Sequence, residues 1–594
     1  MKLKIVGLSV IFVCFSAVCV AQKNDSIIKK SVTVEREFVP EIQSAGKIET
    51  NPIVVEPQKT VLEAIYSDFS SPLSLTGNIH SLSAATLLYA HHTDDRPGFA
   101  RLAVGFYPNS VADFAYPLID RSDMRLDAVV KQRGVYNEQY SMTTTAALAF
   151  DKYFDNLTLF SGLNFGYQGI RYYGMNYNSN PDLNQAELYF SRLNIDYGNN
   201  LTYTETDFTP IGRTAKTVLI KDLDEATKLA HFFRGGVNLG VRSAENAENF
   251  RYLARVKYGL FRNTAGVTEN FFNTSGQLSF NLDENRIGVD AELYNAFYNS
   301  TQEINFYKKY GVLVLSPYFE FNQLENFDVR LGFLAAVPFS GEKGLKFAPD
   351  IRLAWKPLPQ TLKIYAGVTG KYSVNSMDKL FYENPYLAPD VRVRDTHTPF
   401  DFYAGSLIKP VAGLLFDVFA DYSITNNDYF FINKAYNNPN VQTTTDDSMI
   451  FSNRFDVVYD HSNLLILGGR ASYTYKDIFK FDFSAKHFSG PLKTQLFPWQ
   501  KPQFDFTLNT SYRVIKDVNL SLTGYCQTGL MAKLGNNSVK MKNRLDLNFS
   551  ASYTYSEWLT IFLAGNNLLN QKYDIYFGYQ VQEINAMIGA VVSF

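Results

Sequence analysis

After its first residues this chain has no apolar run long enough to cross a bilayer as a helix, yet it has many alternating segments long enough to cross one as strands. Between Leu157 and Gln168, the residues Leu157, Leu159, Leu163, Phe165 and Tyr167 share one face, with Ser161 the polar exception. Thr158, Gly162, Asn164, Gly166 and Gln168 share the other, with Phe160 the apolar exception. That is the two-residue period of a strand. The same reading gives strands at 98–107, 124–131, 141–150, 186–199, 250–261, 286–297, 310–321, 325–338, 345–355, 361–373 and 399–408. It continues at 413–424, 449–459, 463–475, 478–487, 503–513, 518–527, 542–554, 558–566 and 582–594. Many reach roughly ten residues, the length a tilted strand needs to span hydrocarbon. Strands of soluble sandwiches are nearer about five or six. The expected fold is therefore all-β: a large transmembrane antiparallel β-barrel of about 22 strands, within a range of about 18 to 24, since closure favours an even number.

Composition supports this. Aromatics make up 15% of the chain, with 48 Phe and 39 Tyr but only 3 Trp. Mean hydropathy is nonetheless slightly negative. Strands with one face to lipid and one to water reconcile the two facts, and aromatic girdles at the membrane interfaces account for most of the rings. Some connections are short and turn-like, as at Pro108-Asn109 and around Asp155-Asn156. Others are long and polar: 173–185, 205–228, 374–398 and 530–541. Short turns at one end and long loops at the other are the outer-membrane pattern.

Residues 1–21 have the form of a secretory signal peptide: Lys2 and Lys4, an apolar stretch from Ile5 to Val20, and Cys19-Val20-Ala21 before a cleavage point at Gln22. Cys14 and Cys19 follow Val13 and Val18, where a lipoprotein signal requires a small residue, so a lipid anchor is not expected. Without the signal, Cys526 is the sole cysteine and no internal disulfide can form. The signal carries two lysines and no acids, so the mature charge is 54 − 58 = −4, which offers nothing to nucleic acid. Residues 22–76 are polar, carry Pro40, Pro52, Pro57 and Pro72, and have no sustained period. They read as an extended periplasmic or lumenal segment, with the barrel occupying 77–594.

The stretch Asn567-Leu568-Leu569-Asn570-Gln571-Lys572-Tyr573, followed by Gly578-Tyr579 and the terminal Phe594, resembles the end of TonB-dependent receptors. The matching positions are Asn567, Leu568, Asn570 and Tyr573. Val34–Pro40, Glu383-Asn384-Pro385-Tyr386-Leu387-Ala388-Pro389 and Thr398–Gly405 resemble a Bacteroidetes-type group of such barrels, with Asn384 and Pro385 as motif positions. The resemblance implies a Gram-negative outer membrane. It also implies that the final strand, with Ile588, Ala590, Val592 and Phe594 on its lipid face, is the signal read by the barrel-assembly machinery. The chain departs from the family in having no recognisable plug between signal and barrel, which weighs against TonB-driven uptake. Val32-Thr33-Val34 is too short a match to restore it.

Sites for chemistry are sparse. His91, His92, Asp94 and Asp95 lie in one polar stretch that reads as a solvated loop rather than a metal site. Asp222, Asp224 and Glu225 lack calcium-loop spacing. No Gly-x-Ser-x-Gly elbow and no His-Glu-x-x-His pair occurs. Tyr172, Tyr173, Tyr177 and Tyr189 are assigned to a girdle in preference to a ligand-stacking surface. No catalytic residue, metal ligand, cofactor or ligand-binding residue is named. The expected function is passage or binding of a solute at the outer membrane. The alternative is a scaffold subunit whose residues 22–76 dock a periplasmic or outer-membrane partner as an added strand, and a barrel enzyme is a remote third.

Overall fold

The computed structural model describes residues 98–594, apart from 175, 179–189, 196–202, 207–228, 245–246, 248, 265, 301–308, 322–325, 341–343, 390, 438–448 and 535–536. The expectations for the signal, for residues 22–76 and for His91, His92, Asp94, Asp95, Asp222, Asp224 and Glu225 lie outside the described residues. The main sheet has 25 strands, three of which (Asn176–Asn178, Phe190–Ile195 and Tyr203–Thr206) belong to the connection 172–228. The other 22 form the wall.

The wall begins with β1 (Phe99–Gly105), β2 (Asn109–Arg121), β3 (Met124–Val135), β4 (Ser141–Tyr153), β5 (Leu157–Arg171), β6 (Leu229–Ser243) and β7 (Phe250–Asn263). It continues with β8 (Val267–Leu282), β9 (Asn285–Ser300), β10 (Lys309–Phe321), β11 (Phe327–Pro338), β12 (Lys346–Leu358), β13 (Leu362–Ser373), β14 (Thr396–Ile408) and β15 (Leu414–Asn437). Then follow β16 (Met449–Tyr475), β17 (Phe479–Ser489), β18 (Phe504–Ile515), β19 (Val518–Thr528), β20 (Arg544–Ser556), β21 (Leu559–Asn566) and β22 (Asn585–Ser593). Each pairs antiparallel with its neighbours in sequence. β1 pairs with β22 from Phe99↔Ser593 to Gly105↔Met587, which closes the cylinder and leaves no edge. At the seam Phe594 and Gly98 exchange backbone hydrogen bonds, both 3.0 Å.

The two rims differ. Both chain ends of the wall lie at one rim, where every connection is short: 122–123, 154–156, 244–249, 283–284, 322–326, 359–361, 409–413, 476–478, 516–517 and 557–558. The long connections 172–228, 374–395, 490–503, 529–543 and 567–584 lie at the other. The asymmetry matches periplasmic turns and extracellular loops. Pro108-Asn109 departs from the expected split, for this short turn sits at the loop rim, as do the short connections 136–140 and 264–266.

Outward side chains form an apolar band. On β5, Leu159, Leu163 and Phe165 are exposed while Thr158 on the opposite face is buried, as the alternation requires. The inner face is polar and internally paired. Arg101 and Arg133 both hold Asp113, and Arg330 joins Glu320 (2.9 Å) to Asp350 (2.9 Å), which also accepts from Arg352. Among the described residues no helix is long and apolar enough to cross a membrane, and only one helix is present.

Several strand expectations need correction. β2 contains Pro117, which breaks the ladder pattern in sequence; the strand absorbs it with a register shift between Pro117 and Ile119. β6 carries Gly235, Gly236 and Gly240, which blank out its alternation. Gly240 has a packing reason: a Cβ there would come within 2.3 Å of the Phe160 ring. β8 is polar and Asn-rich, because its inward positions face the lumen. The segments 449–459 and 463–475 are one strand. The polar step at Asp460-His461-Ser462 that seemed to divide them holds a loop instead: Asp460 accepts from the amides of Thr494 and Gln495 at 2.8 and 2.7 Å. The expected strand 186–199 supplies Phe190–Ile195, which pairs outside the wall.

Candidate functional site: segments folded across the lumen

The 374–395 connection does not stay at the rim. Ser376 caps a short helix, α1 (Met377–Glu383), by accepting from the Lys379 amide at 3.1 Å, and Asp378 sits in the first turn. Asn384 ends the helix and Pro385 prevents its continuation. Wall residue Glu269, wholly buried on β8, accepts from the Met377 amide at 2.7 Å and the Asp378 amide at 3.3 Å. A carboxylate placed on free amides at a helix start fixes the helix to the wall.

From that anchor the segment crosses the lumen. Phe381 packs on Phe232 of β6 and Phe261 of β7, with ring centroids 5.5 and 5.7 Å apart. A few residues later, the Ala388 amide bonds to the Phe455 carbonyl (2.9 Å) and the Phe455 amide to the Tyr386 carbonyl (3.1 Å). Phe455 belongs to β16, ten strands from β6 in a wall of 22, so residues 377–391 tie nearly opposite walls together. The sequence motif Asn384–Pro389 is the part that makes the far contact.

A second segment meets it from the 567–584 connection. Asn567 and Asn570 adopt left-handed backbone angles (φ 48° and 47°), which Asn tolerates better than most residues. The Asn567 side chain donates to the carbonyls of Gln571 (3.0 Å) and Gln582 (2.9 Å), closing the base of an inward hairpin. Tyr573 donates to Asp546 on the wall at 2.7 Å. Leu568 is partly exposed, its amide bonded to the Leu547 carbonyl at 2.9 Å. Arg544 of β20 donates to the carbonyls of Asp574 (3.0 Å) and Ile575 (2.5 Å), holding the hairpin by its backbone. At the tip Tyr579 stacks on Tyr386 with centroids 3.6 Å apart, and its hydroxyl donates to the Asn453 carbonyl at 2.6 Å. Tyr576 donates to the Glu383 carbonyl at 2.7 Å. Phe577 on the same tip packs among Leu530, Ala532, Leu534 and Met541 of the neighbouring 529–543 connection.

These contacts form an apolar core inside the loop-rim half of the barrel, made of Met377, Leu380, Phe381, Leu387, Tyr576 and Tyr579 against wall residues such as Ile170, Phe232 and Phe455. Tyr172 and Tyr173 belong to it. Tyr172 is buried and Tyr173 packs edge-on to Tyr579 at 5.0 Å, so both point inward and the girdle assignment is wrong for them. Neither forms an open stacking surface. Tyr177 and Tyr189 are not described at side-chain level.

Burial shifts the ionisable groups within the crossing segments. The Glu383 carboxyl is pushed above its ordinary range by desolvation, offset by the Tyr429 hydroxyl that donates to it. Asp395 is raised in the same way, against hydrogen bonds from Tyr310, Tyr372 and the Asn375 amide. Burial lowers Lys379 and raises the Tyr386 phenol to about 12. Among the described residues no cluster of His, Cys, Asp or Glu is arranged to hold a metal. On the final strand Ile588 and Phe594 are exposed on the outer face with Ala590 and Val592, and Phe594 stacks on Phe114 (6.1 Å) and Tyr116 (5.7 Å) across the seam.

No family model and no curated protein matches this sequence. Solved structures do. The chain superposes on a variant of the ferric enterobactin receptor of Pseudomonas aeruginosa in complex with enterobactin, with a TM-score of 0.56 and 11% identity over 84% of this chain and 81% of that one. It superposes on a siderophore receptor from Acinetobacter baumannii with a TM-score of 0.57 and 9% identity over 84% and 80%. The copper transporter OprC gives 0.56 and 10% over 84% and 80%. At such identities the likeness is one of fold: this is a barrel of the kind found in TonB-dependent outer-membrane receptors. The matched proteins are receptors and a transporter.

Proposed function

We propose that the protein binds or passes a small solute at the outer membrane of a Gram-negative bacterium, with the crossing segments 377–391 and 573–581 as its selective closure. The observation that carries this reading is the contrast inside one cylinder. The wall below is polar and paired as a water-filled path requires, while the loop-rim half is bridged by two loops that belong to the barrel itself. A barrel closed by its own loops can gate without a separate plug, so this reading does not require TonB. Residues 22–76 serve the periplasmic side, as a tether or a strand offered to a partner, and the final strand with Phe594 serves assembly.

Reconstitution of the full chain into liposomes tests this. Swelling in at least one class of small polar solute, or saturable binding of one, is the expected result. A protein that admits and binds none, but is extracted from native membranes in fixed stoichiometry with a second protein, is a scaffold.

A further inference from the structure

A chamber of about 250 Å³ lies against the lumenal wall where the inward hairpin roofs it. That is slightly below the size of typical small-molecule pockets, which start at roughly 300 Å³. Four adjacent strands build it in two cross-strand rows. One runs Lys486, Asp505, Gln527, Arg544, each residue directly opposite the next. The other runs Ser484, Thr507, Tyr525, Asp546. Tyr573 and Ile575 of the hairpin close the top.

Most of the polar groups are already satisfied by one another. Gln527 donates to Asp505 at 3.0 Å and accepts from Arg544 at 2.9 Å, and the rest of Arg544 is spent on the hairpin carbonyls. Two charged groups at opposite ends of the grid are left over. Asp546 is 2% exposed; its Oδ2 accepts from Tyr573 and the Asn567 amide also faces the carboxyl, while its Oδ1 makes no hydrogen bond of good geometry. A buried carboxylate oxygen without a well-aligned donor is costly unless something fills the site. At the other end the half-buried Lys486 ammonium has no hydrogen-bond partner among the described residues, and Asp505 is the charge facing it. The two residues are three strands apart, about 14 Å at the backbone. Both project inward, and the long lysine side chain narrows that gap to the span of a small molecule with its charges several bonds apart.

We infer that this chamber is a binding site for a dipeptide-sized zwitterion, its ammonium on Asp546 Oδ1 and its carboxylate on the Lys486 ammonium. Tyr525, Tyr573 and Ile575 supply the flanking surface for the atoms between. The inference rests on the solute-passage reading and gives it a substrate class. Four formal charges sum to zero in the chamber, which favours a ligand that is itself neutral overall and bears both signs.

The test uses the purified full chain in detergent and saturation-transfer NMR with L-alanyl-L-alanine, its N-acetyl form, its C-terminal amide, and maltose. The unmodified dipeptide is expected to bind, with about tenfold weaker binding of each blocked form and weaker binding still of maltose. Lys486→Met should erase the difference between the dipeptide and its amide while keeping the difference from the acetyl form. Asp546→Asn, which still accepts from Tyr573, should do the reverse. Equal binding of all three peptides, preference for maltose, or no binding by a preparation that passes solutes would overturn the site. A preparation that neither binds the dipeptide nor passes solutes would overturn both the site and the passage reading.

Discussion

The wall and the closure use the same residues for opposite ends. On the wall, large apolar side chains such as Leu163, Phe165, Leu278 and Phe280 stand exposed and evenly spaced, each meeting lipid. In the closure, rings of the same kinds meet one another, as Tyr386 does Tyr579 and Phe381 does Phe232. The wall is held by a backbone ladder that any alternating sequence can form. The closure depends on particular groups: a carboxylate on helix amides, an arginine on two carbonyls, and left-handed asparagines at the hairpin base. The wall should therefore tolerate conservative change and fail only when a charge meets lipid, while the closure should fail locally at single residues with the cylinder intact.

The largest effect expected from a single residue is in the closure core. Phe455→Ala removes a wholly buried ring on which Tyr576 and Tyr579 of the hairpin pack, at the residue whose backbone bonds to Tyr386 and Ala388. A loss of about 3–5 kcal/mol is expected for such a truncation. Hydrogen exchange should show it as lost protection confined to 384–391 and 574–580. Loss of protection around the whole barrel would mean the closure is part of the wall. Next comes the wall's own test. Leu163→Arg should cost about 2–4 kcal/mol in refolding into lipid, and Asn164→Arg one residue away, on the lumenal face, clearly less. Equal costs would deny that the two residues face lipid and lumen.

Glu269→Ala should cost less, about 1–3 kcal/mol, because two helix amides lose their acceptor. The readout is protection at 377–383; unchanged protection would show that the helix is held by packing alone. The smallest effect is that of pH. Burial raises Glu383 and Asp395 above their unfolded values, so the folded closure binds protons more tightly than the unfolded one. Its stability then falls as pH rises from the ordinary carboxylate range through the raised values. Exchange of the crossing segments should quicken across that window, and Glu383→Gln should flatten the response.

How much of this was legible follows from the same contrast. Periodicity found the strands whose lumenal faces alternate cleanly with lipid, β5 and β22 among them. It missed β2, β6 and β8, where Pro117, the glycines and a polar lumenal face mask the period. It also divided β16 at a polar step that serves a loop contact. A count near 22 survived because a split strand and a strand outside the wall offset part of what was missed. The closure has no period to find, because its side chains answer to partners far away in sequence. What the sequence did carry were the stretches at Asn384–Pro389 and Asn567–Tyr573, recognised by resemblance without any physical role. The role became visible only when they met across the lumen. Tyr172 and Tyr173 were misassigned because a girdle and an inward core demand the same residue types.

The central proposal is that the barrel's own loops close its path. Planar-bilayer conductance of the full chain beside a chain with 574–580 replaced by a short Gly-Ser turn tests it most directly. Small or rare openings in the first and a steady, several-fold larger conductance in the second are predicted, with both proteins equally heat-modifiable. The same conductance in both, whether open or shut, would contradict the account.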